Sequence, residues 1–274
     1  MLEVSSGSVI GKYHTRIGLN NQDAYGYILH PDYVMAVVCD GCGSGNYSEV
    51  GARLGVNLFL KELNKVKEFI NTGIGDLNKL LKSVEIGLTN SISCISYMIG
   101  DNLPNIIKEH FLFTSLIACV GKEKSFIASI GDGFYNINGE NFNIGPFENN
   151  APPYISYAII PDAVGIDALK DIKFNIHSIM DSKDVKNIMI ATDGLEDFIM
   201  AEDKNIPGQT KLVGNINQFW LDDLYFNNKV SLTRKLNQVS KNSVKIKNGQ
   251  LITESGILSD DTTIVSIRKI NGLQ

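Results

Sequence analysis

The strands that this sequence predicts come in hairpin-spaced groups, and its predicted helices are grouped as well. The apolar segments Phe111–Val120 and Ser125–Ile130 are separated by the polar stretch GKEK. Further along, two short strands flank Asn138-Gly139, a dipeptide that favours a type I′ hairpin turn. Strands joined by tight turns pair antiparallel, whereas parallel strands need long crossover connections. The sequence therefore predicts an α+β fold of antiparallel sheets with helices packed outside them.

The other predicted elements follow from the spacing of apolar residues. Helices are predicted over residues 49–70, 77–99, 211–226 and 229–241. Further strands are predicted over residues 8–15, 24–29, 33–39, 134–137, 141–144, 155–160, 172–179, 187–192 and 262–270. No linker or repeat divides the chain, so we predict a single domain over residues 1–274.

Composition and charge argue against several classes of function. The formal net charge is −5 and the isoelectric point is about 5.4. Because nucleic-acid binding needs a basic face, nucleic acid is not an expected partner. The longest strictly apolar run, Val34–Cys39, has six residues, well short of the roughly 18 that a membrane span requires. With no signal-peptide pattern at the N-terminus, we expect a cytoplasmic protein without a membrane partner.

Aspartate recurs where predicted apolar strands begin or end. These positions are Asp23, Asp40, Asp132, Asp193 and the pair Asp260-Asp261. A single Asp-Gly pair is typical of a surface turn, but rigid strands that end at one edge would bring several carboxylates together. Carboxylates that share a site need a counter-charge, because their repulsion otherwise raises their pKa values until they protonate. Oxygen ligands without a matching His or Cys cluster favour Mg²⁺ or Mn²⁺ over zinc.

Five segments, taken in order, resemble the motifs of the metal-dependent protein phosphatases of the 2C type. They are NNQDAYGY, VVCDGCGSG, SIGDG, ATDGLEDF and SDDTTIVSI. The resemblance spans residues 20–268 and implies a sandwich of two antiparallel β-sheets flanked by helices on both outer faces. It also implies hydrolysis of phosphoserine or phosphothreonine in a protein substrate, with a cognate kinase as the opposing enzyme.

The resemblance assigns catalytic and metal-binding roles to individual residues. Asp40 corresponds to the carboxylate that bridges two metal ions, and Gly41 to the residue whose carbonyl binds one of them. Asp193 and Asp260 correspond to further ligands of the second ion. Two ions held in this way activate a water for direct attack on a phosphoester, without a covalent intermediate. Asp40, Asp193 and Asp260 are therefore the predicted catalytic residues.

Two more aspartates complete the predicted metal site. Asp23 corresponds to a ligand that acts through water, and Asp132 to the ligand of a third ion in some relatives. Asp260 is preferred over Asp261 because the family's ligand lies three residues before the Thr that opens the last strand, here Thr263.

The sequence departs from the family pattern where the substrate phosphate would bind. Gly18 lies where many relatives have a phosphate-binding Arg, Gln22 where many have Glu, and Cys42 where eukaryotic relatives have His. These changes resemble a divergent bacterial branch of the family. Arg16 is the nearest Arg, and His14 shares its face if both lie on one strand. We therefore predict that Arg16, assisted by His14, binds the substrate phosphate.

Alternatives remain for two segments and for the function. Cys39–Cys42 spells CxxC, but no second pair completes a zinc site and Cys39 belongs to a predicted buried strand. The polar loop over residues 148–153 is either an ordinary connection or a flap over the site. The chain could also be a catalytically weak regulatory module that binds metal and a partner, or an enzyme acting on a small phosphoester.

Overall fold

Two five-stranded sheets, in which all hydrogen-bonded neighbours run antiparallel, form the centre of the molecule. The computed structural model describes residues 1–165, 169, 172–247 and 250–270. The first sheet contains, in spatial order, β1 (Leu2–Val9), β12 (Thr262–Lys269), β9 (Asn187–Ala191), β6 (Gly133–Ile137) and β7 (Glu140–Ile144). The second contains β2 (Ala24–His30), β3 (Tyr33–Gly41), β4 (Phe113–Val120), β5 (Lys124–Ile130) and β8 (Asn175–Asp181).

Helices cover the outer face of each sheet. Helices α2 (Ser48–Glu62) and α3 (Lys67–Thr72) pack on the second sheet, and α4 (Leu77–Ile99) and α5 (Leu103–His110) pack on α2 in the same hydrophobic core. The first sheet packs against α6 (Leu195–Ile199), α7 (Gln218–Leu221), α8 (Leu224–Asn227) and α9 (Ser231–Ser240). The predicted sandwich of antiparallel sheets with helices on both outer faces is thus confirmed.

Strand β3 shows why a continuous apolar run is typical of a central strand. Met35 and Val37 pack into the core under the helices, while Val34 and Ala36 pack into the core between the two sheets. A strand buried on both faces has no polar side. Each large aliphatic side chain fully buried in this way contributes roughly 1.5–3 kcal/mol to stability.

The predicted helix over residues 77–99 is confirmed as α4. The carboxylate of Asp76 caps its N-terminus by accepting hydrogen bonds from the backbone N–H groups of Asn78 and Lys79, at 3.0 and 3.4 Å. An N-cap of this kind contributes about 1 kcal/mol. The helix predicted over residues 49–70 is interrupted, because Leu63–Val66 forms a 3₁₀ segment between α2 and α3.

The strand predicted over residues 8–15 is wrong beyond Val9, because the chain turns there into helix α1 (Lys12–Ile17). The first N–H groups of this helix donate to a distant loop: Lys12 N to Leu258 O and Tyr13 N to Ser259 O, both at 3.1 Å. Gly18, with φ of 78°, ends the helix in the left-handed conformation that glycine tolerates best. Long-range hydrogen bonds therefore outweigh the local preference of residues 12–15 for a strand.

Two other predictions also differ from the structure, and two elements were not predicted. Residues 155–160, predicted as a strand, contain the 3₁₀ helix Ile155–Ile159, and only α7 and α8 are helical within residues 211–226. Helix α5 and the hairpin of β10 (Ser243–Lys247) and β11 (Gln250–Glu254) were not predicted. Every residue of β11 is exposed, so this strand lacks the apolar alternation on which a strand prediction depends. The remaining 3₁₀ segments are Glu148–Asn150, Pro161–Ala163 and Ser182–Asp184.

None of the helices in the described part of the chain combines the length and apolar character needed to cross a membrane.

Candidate active site

The predicted aspartates meet at one edge of the two sheets. Asp40 lies near the C-terminal end of β3, Asp132 follows β5, and Asp193 follows β9. Because β3 and β5 both pair antiparallel with β4, their C-terminal ends lie at the same edge. Asp260 precedes β12, whose first residues lie beside the end of β9 in an antiparallel pair. Strand order brings two carboxylates to an edge of each sheet, and the packing of the two sheets brings all four to one cavity.

These carboxylates line a small cavity of about 130 Å³, which we call the acidic cleft. Its lining residues are His14, Gln22, Asp40, Gly41, Cys42, Gly43, Thr114, Asp132, Pro152, Tyr154, Asp193 and Asp260. Asp193 and Asp260 are exposed at the cleft, whereas Asp40 and Asp132 are half-buried. His14 is the one side chain among the described lining residues that can carry a positive charge.

Glycine allows the two turns of the cleft to approach each other. A Cβ atom on Gly194 would lie 2.0 Å from the backbone oxygen of Asp261, a distance that no side chain tolerates. The hydroxyl of Thr262 donates to the Gly194 oxygen at 3.1 Å and fixes this approach. The Asp-Gly pattern therefore serves close packing of Asp193 against the Asp260-Asp261 turn.

The carboxylates raise one another's pKa values. Burial, followed by the charges of neighbouring aspartates, raises the pKa of Asp40 well above its usual range. Burial and then the charge of Asp193 raise the pKa of Asp132 to about 6. Although Asp193 is open to the cleft, the protein around its carboxyl removes part of its hydration, and this desolvation and then the charge of Asp260 raise its pKa. The protein thus holds negative charge at a site where its own residues supply little compensation.

Asp23 lies behind Asp40, fully enclosed by protein and outside the lining of the cleft. Its Oδ2 accepts a hydrogen bond from the hydroxyl of Thr192 at 2.8 Å. Its Oδ1 is buried and has no hydrogen-bond partner among the described residues. Burial and the charge of Asp261 raise the pKa of Asp23 well above its usual range. Asp23 therefore does not reach the cleft itself and leaves one buried acceptor oxygen without a donor among the described residues.

Asp260 and Asp261 have different environments although they are neighbours in sequence. Asp261 is buried and accepts backbone hydrogen bonds from Gly11 N at 2.7 Å and from Gln22 N at 2.6 Å. Nδ1 of His14 lies 3.0 Å from Asp261 Oδ2 and 3.8 Å from Asp260 Oδ1. Asp260 is therefore the carboxylate of the pair that is open to the cleft. Through these hydrogen bonds Asp261 instead links the start of helix α1 to the segment before β2. The sequence did not predict this role.

Arg16 does not line the acidic cleft. It is exposed on α1, with its guanidinium carbon 5.5 Å from the centre of the Tyr13 ring. The prediction that His14 and Arg16 share a face depends on a strand, whereas residues two apart in a helix lie about 200° apart around the axis. Helix α1 therefore directs His14 to the cleft and Arg16 away from it.

The Cys39–Cys42 pair lacks the features of a redox site. Cys39 is fully buried, and burial followed by the charges of Asp23 and Asp40 raises the pKa of its thiol, which disfavours the reactive thiolate. Cys42 lines the cleft, and its Sγ lies 3.1 Å from the hydroxyl of Ser44. Both cysteines are free.

The loop over residues 148–153, for which a flap was one alternative, contributes to the cleft through Pro152, and Tyr154 follows directly after it. Burial raises the pKa of the Tyr154 hydroxyl, and its neighbour Cys42 raises it further. Tyr154 and Thr114 were not among the predicted site residues, because an isolated aromatic or hydroxyl residue belongs to no motif.

Comparisons with known proteins agree with this geometry. A family model described as protein phosphatase 2C matches residues 10–237. No curated protein matches the chain by sequence. Among solved structures, a bacterial serine phosphatase is similar with a TM-score of 0.54 and 12% sequence identity, over 100% of both chains.

Two other phosphatases of known structure have the same fold. Stp1 from Staphylococcus aureus has a TM-score of 0.50 and 14% identity, with 99% of this chain and 96% of that chain covered. The serine/threonine phosphatase PstP/Ppp from Mycobacterium tuberculosis has a TM-score of 0.52 and 11% identity, with 98% and 99% covered. At such low identities these likenesses concern the fold, and membership of the family follows from the family model.

Proposed function

The chain belongs to the protein phosphatase 2C family, and on this premise we propose that it is a metal-dependent phosphatase of phosphoserine and phosphothreonine in proteins. The observation that carries the proposal is the convergence of Asp40, Asp132, Asp193 and Asp260 on one cleft. The matched region ends at residue 237, so the part of Asp260 in the site rests on its position in the cleft and on the SDDTT motif.

The chemistry of the cleft suits a hard divalent cation. Its side chains offer carboxylate oxygens, their pKa values are raised by burial and mutual repulsion, and Asp23 Oδ1 has no donor among the described residues. A divalent cation would supply the missing positive charge, and oxygen donors favour Mg²⁺ or Mn²⁺. When bound, such ions lower the pKa of water and neutralise charge on phosphoryl oxygens.

We propose two ions, with Asp40 shared between them, Gly41 as a carbonyl ligand, and Asp193 and Asp260 as further ligands. Asp132 would hold a third ion, and Asp23 would act through water from behind Asp40. These residues lie on or beside strand ends, so the sheets hold the ligands in position before any ion binds.

We propose His14 as the donor to the substrate phosphate, in place of the family's Arg. Its ring is nine-tenths buried, and Asp261, held by two backbone N–H groups, lies beside it. The Asp261 carboxylate lies 3.0 Å from Nδ1 of His14 and orients the ring. Arg16 is left out of this role because it lies outside the cleft.

A panel of phosphoserine and phosphothreonine peptides, assayed with Mn²⁺ and with EDTA, tests the proposed activity. We expect phosphate release with Mn²⁺ and background release with EDTA. If p-nitrophenyl phosphate is hydrolysed but no peptide releases phosphate, the small-phosphoester alternative is favoured. Mn²⁺ binding without turnover of any substrate would favour the regulatory module.

Some finer expectations remain predictions. A cognate protein kinase would supply the phosphorylated substrate, because the phosphatase reaction needs a phosphoester made by phosphoryl transfer. A cytoplasmic location, the absence of nucleic-acid and membrane partners, and a single domain over residues 1–274 still rest on the sequence patterns described above.

A further inference from the structure

A second and larger cavity, of about 670 Å³, lies beside the acidic cleft and shares helix α1 with it. We call it the basic groove. Lys12, Tyr13 and Arg16 of α1 line the groove, whereas His14 lines the cleft. At about 100° per residue, positions 12 and 16 project to nearly the same side of a helix, opposite position 14. One short helix therefore separates two cavities of different charge.

The groove has a positive lining in a chain whose net charge is −5. Lys12, Arg16 and Lys241, the residue that follows α9, line it, and none of the described lining residues is acidic. The Nζ of Lys12 donates to the backbone oxygen of Gly256 at 3.1 Å, and this contact holds the ammonium group at the wall. Cations gathered in a concave surface attract anionic groups and raise their local concentration.

The groove and the cleft adjoin each other at the loop before β12. Ser259 lines the groove and the adjacent Asp260 lines the cleft, and neighbouring Cα atoms are about 3.8 Å apart. A polypeptide whose phosphorylated residue occupies the cleft can therefore extend its flanking residues past α1 into the groove. The half-exposed ring of Tyr13, 52% accessible, offers apolar surface on the same wall.

We propose that the basic groove binds acidic residues that flank the phosphorylated residue of a protein substrate. The proposal rests on the proposed function, because it places the phosphorylated residue in the acidic cleft. The positive lining of the groove favours segments that carry Asp or Glu. The volume of the groove lies in the range of typical binding pockets.

Three phosphoserine peptides test the proposal: one with neutral flanks, one with three acidic residues before the phosphoserine, and one with three after it. The readout is the ratio of kcat/KM for each acidic peptide to that for the neutral one. For the wild-type protein we expect a ratio above one for at least one acidic peptide. Exposed ion pairs are each worth about a two- to fivefold effect, and added salt should reduce the ratio.

The variant Lys241→Glu should bring this ratio to one or below. Lys229→Glu is the matched control, because Lys229 is exposed and the variant makes the same charge change. Lys229 precedes α9 and Lys241 follows it, so the ten-residue helix, about 15 Å long at 1.5 Å per residue, lies between them. Equal ratios in the wild-type protein and in Lys241→Glu, or equal shifts in the two variants, would overturn the proposal.

A binding measurement separates failure of this proposal from failure of the proposed function. If no peptide releases phosphate with Mn²⁺, the phosphatase function fails, but fluorescence anisotropy can still follow the unphosphorylated acidic peptides. The groove proposal then requires that at least one acidic peptide binds more tightly than the neutral one, and that Lys241→Glu weakens this binding more than Lys229→Glu does. Equal anisotropy curves for acidic and neutral peptides would contradict it.

Discussion

The acidic cleft and the basic groove lie on either side of helix α1 but hold their charges in different ways. The cleft collects Asp40, Asp132, Asp193 and Asp260 at strand ends, where burial and mutual repulsion raise the pKa values of three of them. The groove places its cations at the surface, where Arg16 and Lys241 are exposed to solvent. Buried like charges need a counter-ion, whereas exposed charges are screened by water and salt. We therefore expect the cleft to depend on metal ions and the groove only to modulate substrate binding.

The largest effect is expected from Asp40→Asn, which removes the proposed shared ligand while keeping the shape of the side chain. Mn²⁺-dependent turnover should fall at least about a hundredfold, a loss typical for removal of one transition-state-stabilising group. The melting temperature without metal should rise by a few degrees, because a repelling charge is lost. A wild-type rate, or a large drop in metal-free stability, would mean that Asp40 is structural.

The neighbouring variants Asp260→Asn and Asp261→Asn should separate metal binding from support of α1. Asp260→Asn should lose Mn²⁺ affinity and turnover while keeping its metal-free melting temperature. Asp261→Asn removes a charge that accepts from Gly11 N and Gln22 N, at a cost of about 1–3 kcal/mol, while leaving Mn²⁺ affinity largely intact. Calorimetric Mn²⁺ titration and thermal melts of both variants check this, and identical behaviour would refute the division of roles.

The metal-free protein should lose stability as the pH rises from about 4 to about 7. Carboxylates such as Asp132, with a pKa of about 6 in the folded protein, bind protons in the folded state that the unfolded chain, with an Asp pKa near 3.9, has already released. Since the folded state then holds more protons, the free energy of unfolding falls with pH. Saturating Mn²⁺ should weaken or reverse this slope, because it binds the ionised carboxylates.

Denaturant melts of the wild-type protein at pH 5 and pH 7, with Mn²⁺ and with EDTA, measure this effect. Asp132→Asn is the matched variant, since it should flatten the metal-free slope without changing the net charge at low pH. A metal-free stability that rises over this interval would show that other groups outweigh the cleft.

The smallest effect concerns the cysteines. Turnover of the wild-type protein should be the same, within about twofold, with and without a thiol reductant, because Cys39 is buried and its pKa is raised. Turnover of the double variant Cys39→Ala/Cys42→Ser should likewise be the same with and without reductant. Turnover that requires reduction in the wild-type protein and not in the double variant would restore the CxxC hypothesis.

The positions of the carboxylates at strand ends can be predicted from the sequence, because the strand order of the sheets determines where these ends lie. An apolar strand with Asp at its boundary fixes both the sheet and the position of the side chain, so Asp40 and Asp193 reach the cleft as expected. The sequence does not predict α1, whose N–H groups bond to a loop some 245 residues away, because local patterns carry no information about such contacts. For the same reason the predicted strand places Arg16 on one face with His14, whereas Arg16 lies outside the cleft in the structure.

The neighbours Asp260 and Asp261 show the limit of spacing rules. A family pattern selects Asp260 as the ligand, in agreement with its position at the cleft. Nothing in the spacing reveals that Asp261 accepts two backbone hydrogen bonds, because the donors come from segments far away in the sequence.

Phosphate release from a phosphoserine peptide, followed while Mn²⁺ is titrated into the metal-free protein, tests the central claim most directly. The account predicts that turnover rises from background in step with Mn²⁺ occupancy of the acidic cleft, that EDTA abolishes it, and that Asp40→Asn shows neither binding nor turnover. Full turnover in EDTA, or Mn²⁺ binding that Asp40→Asn leaves unchanged, would contradict it.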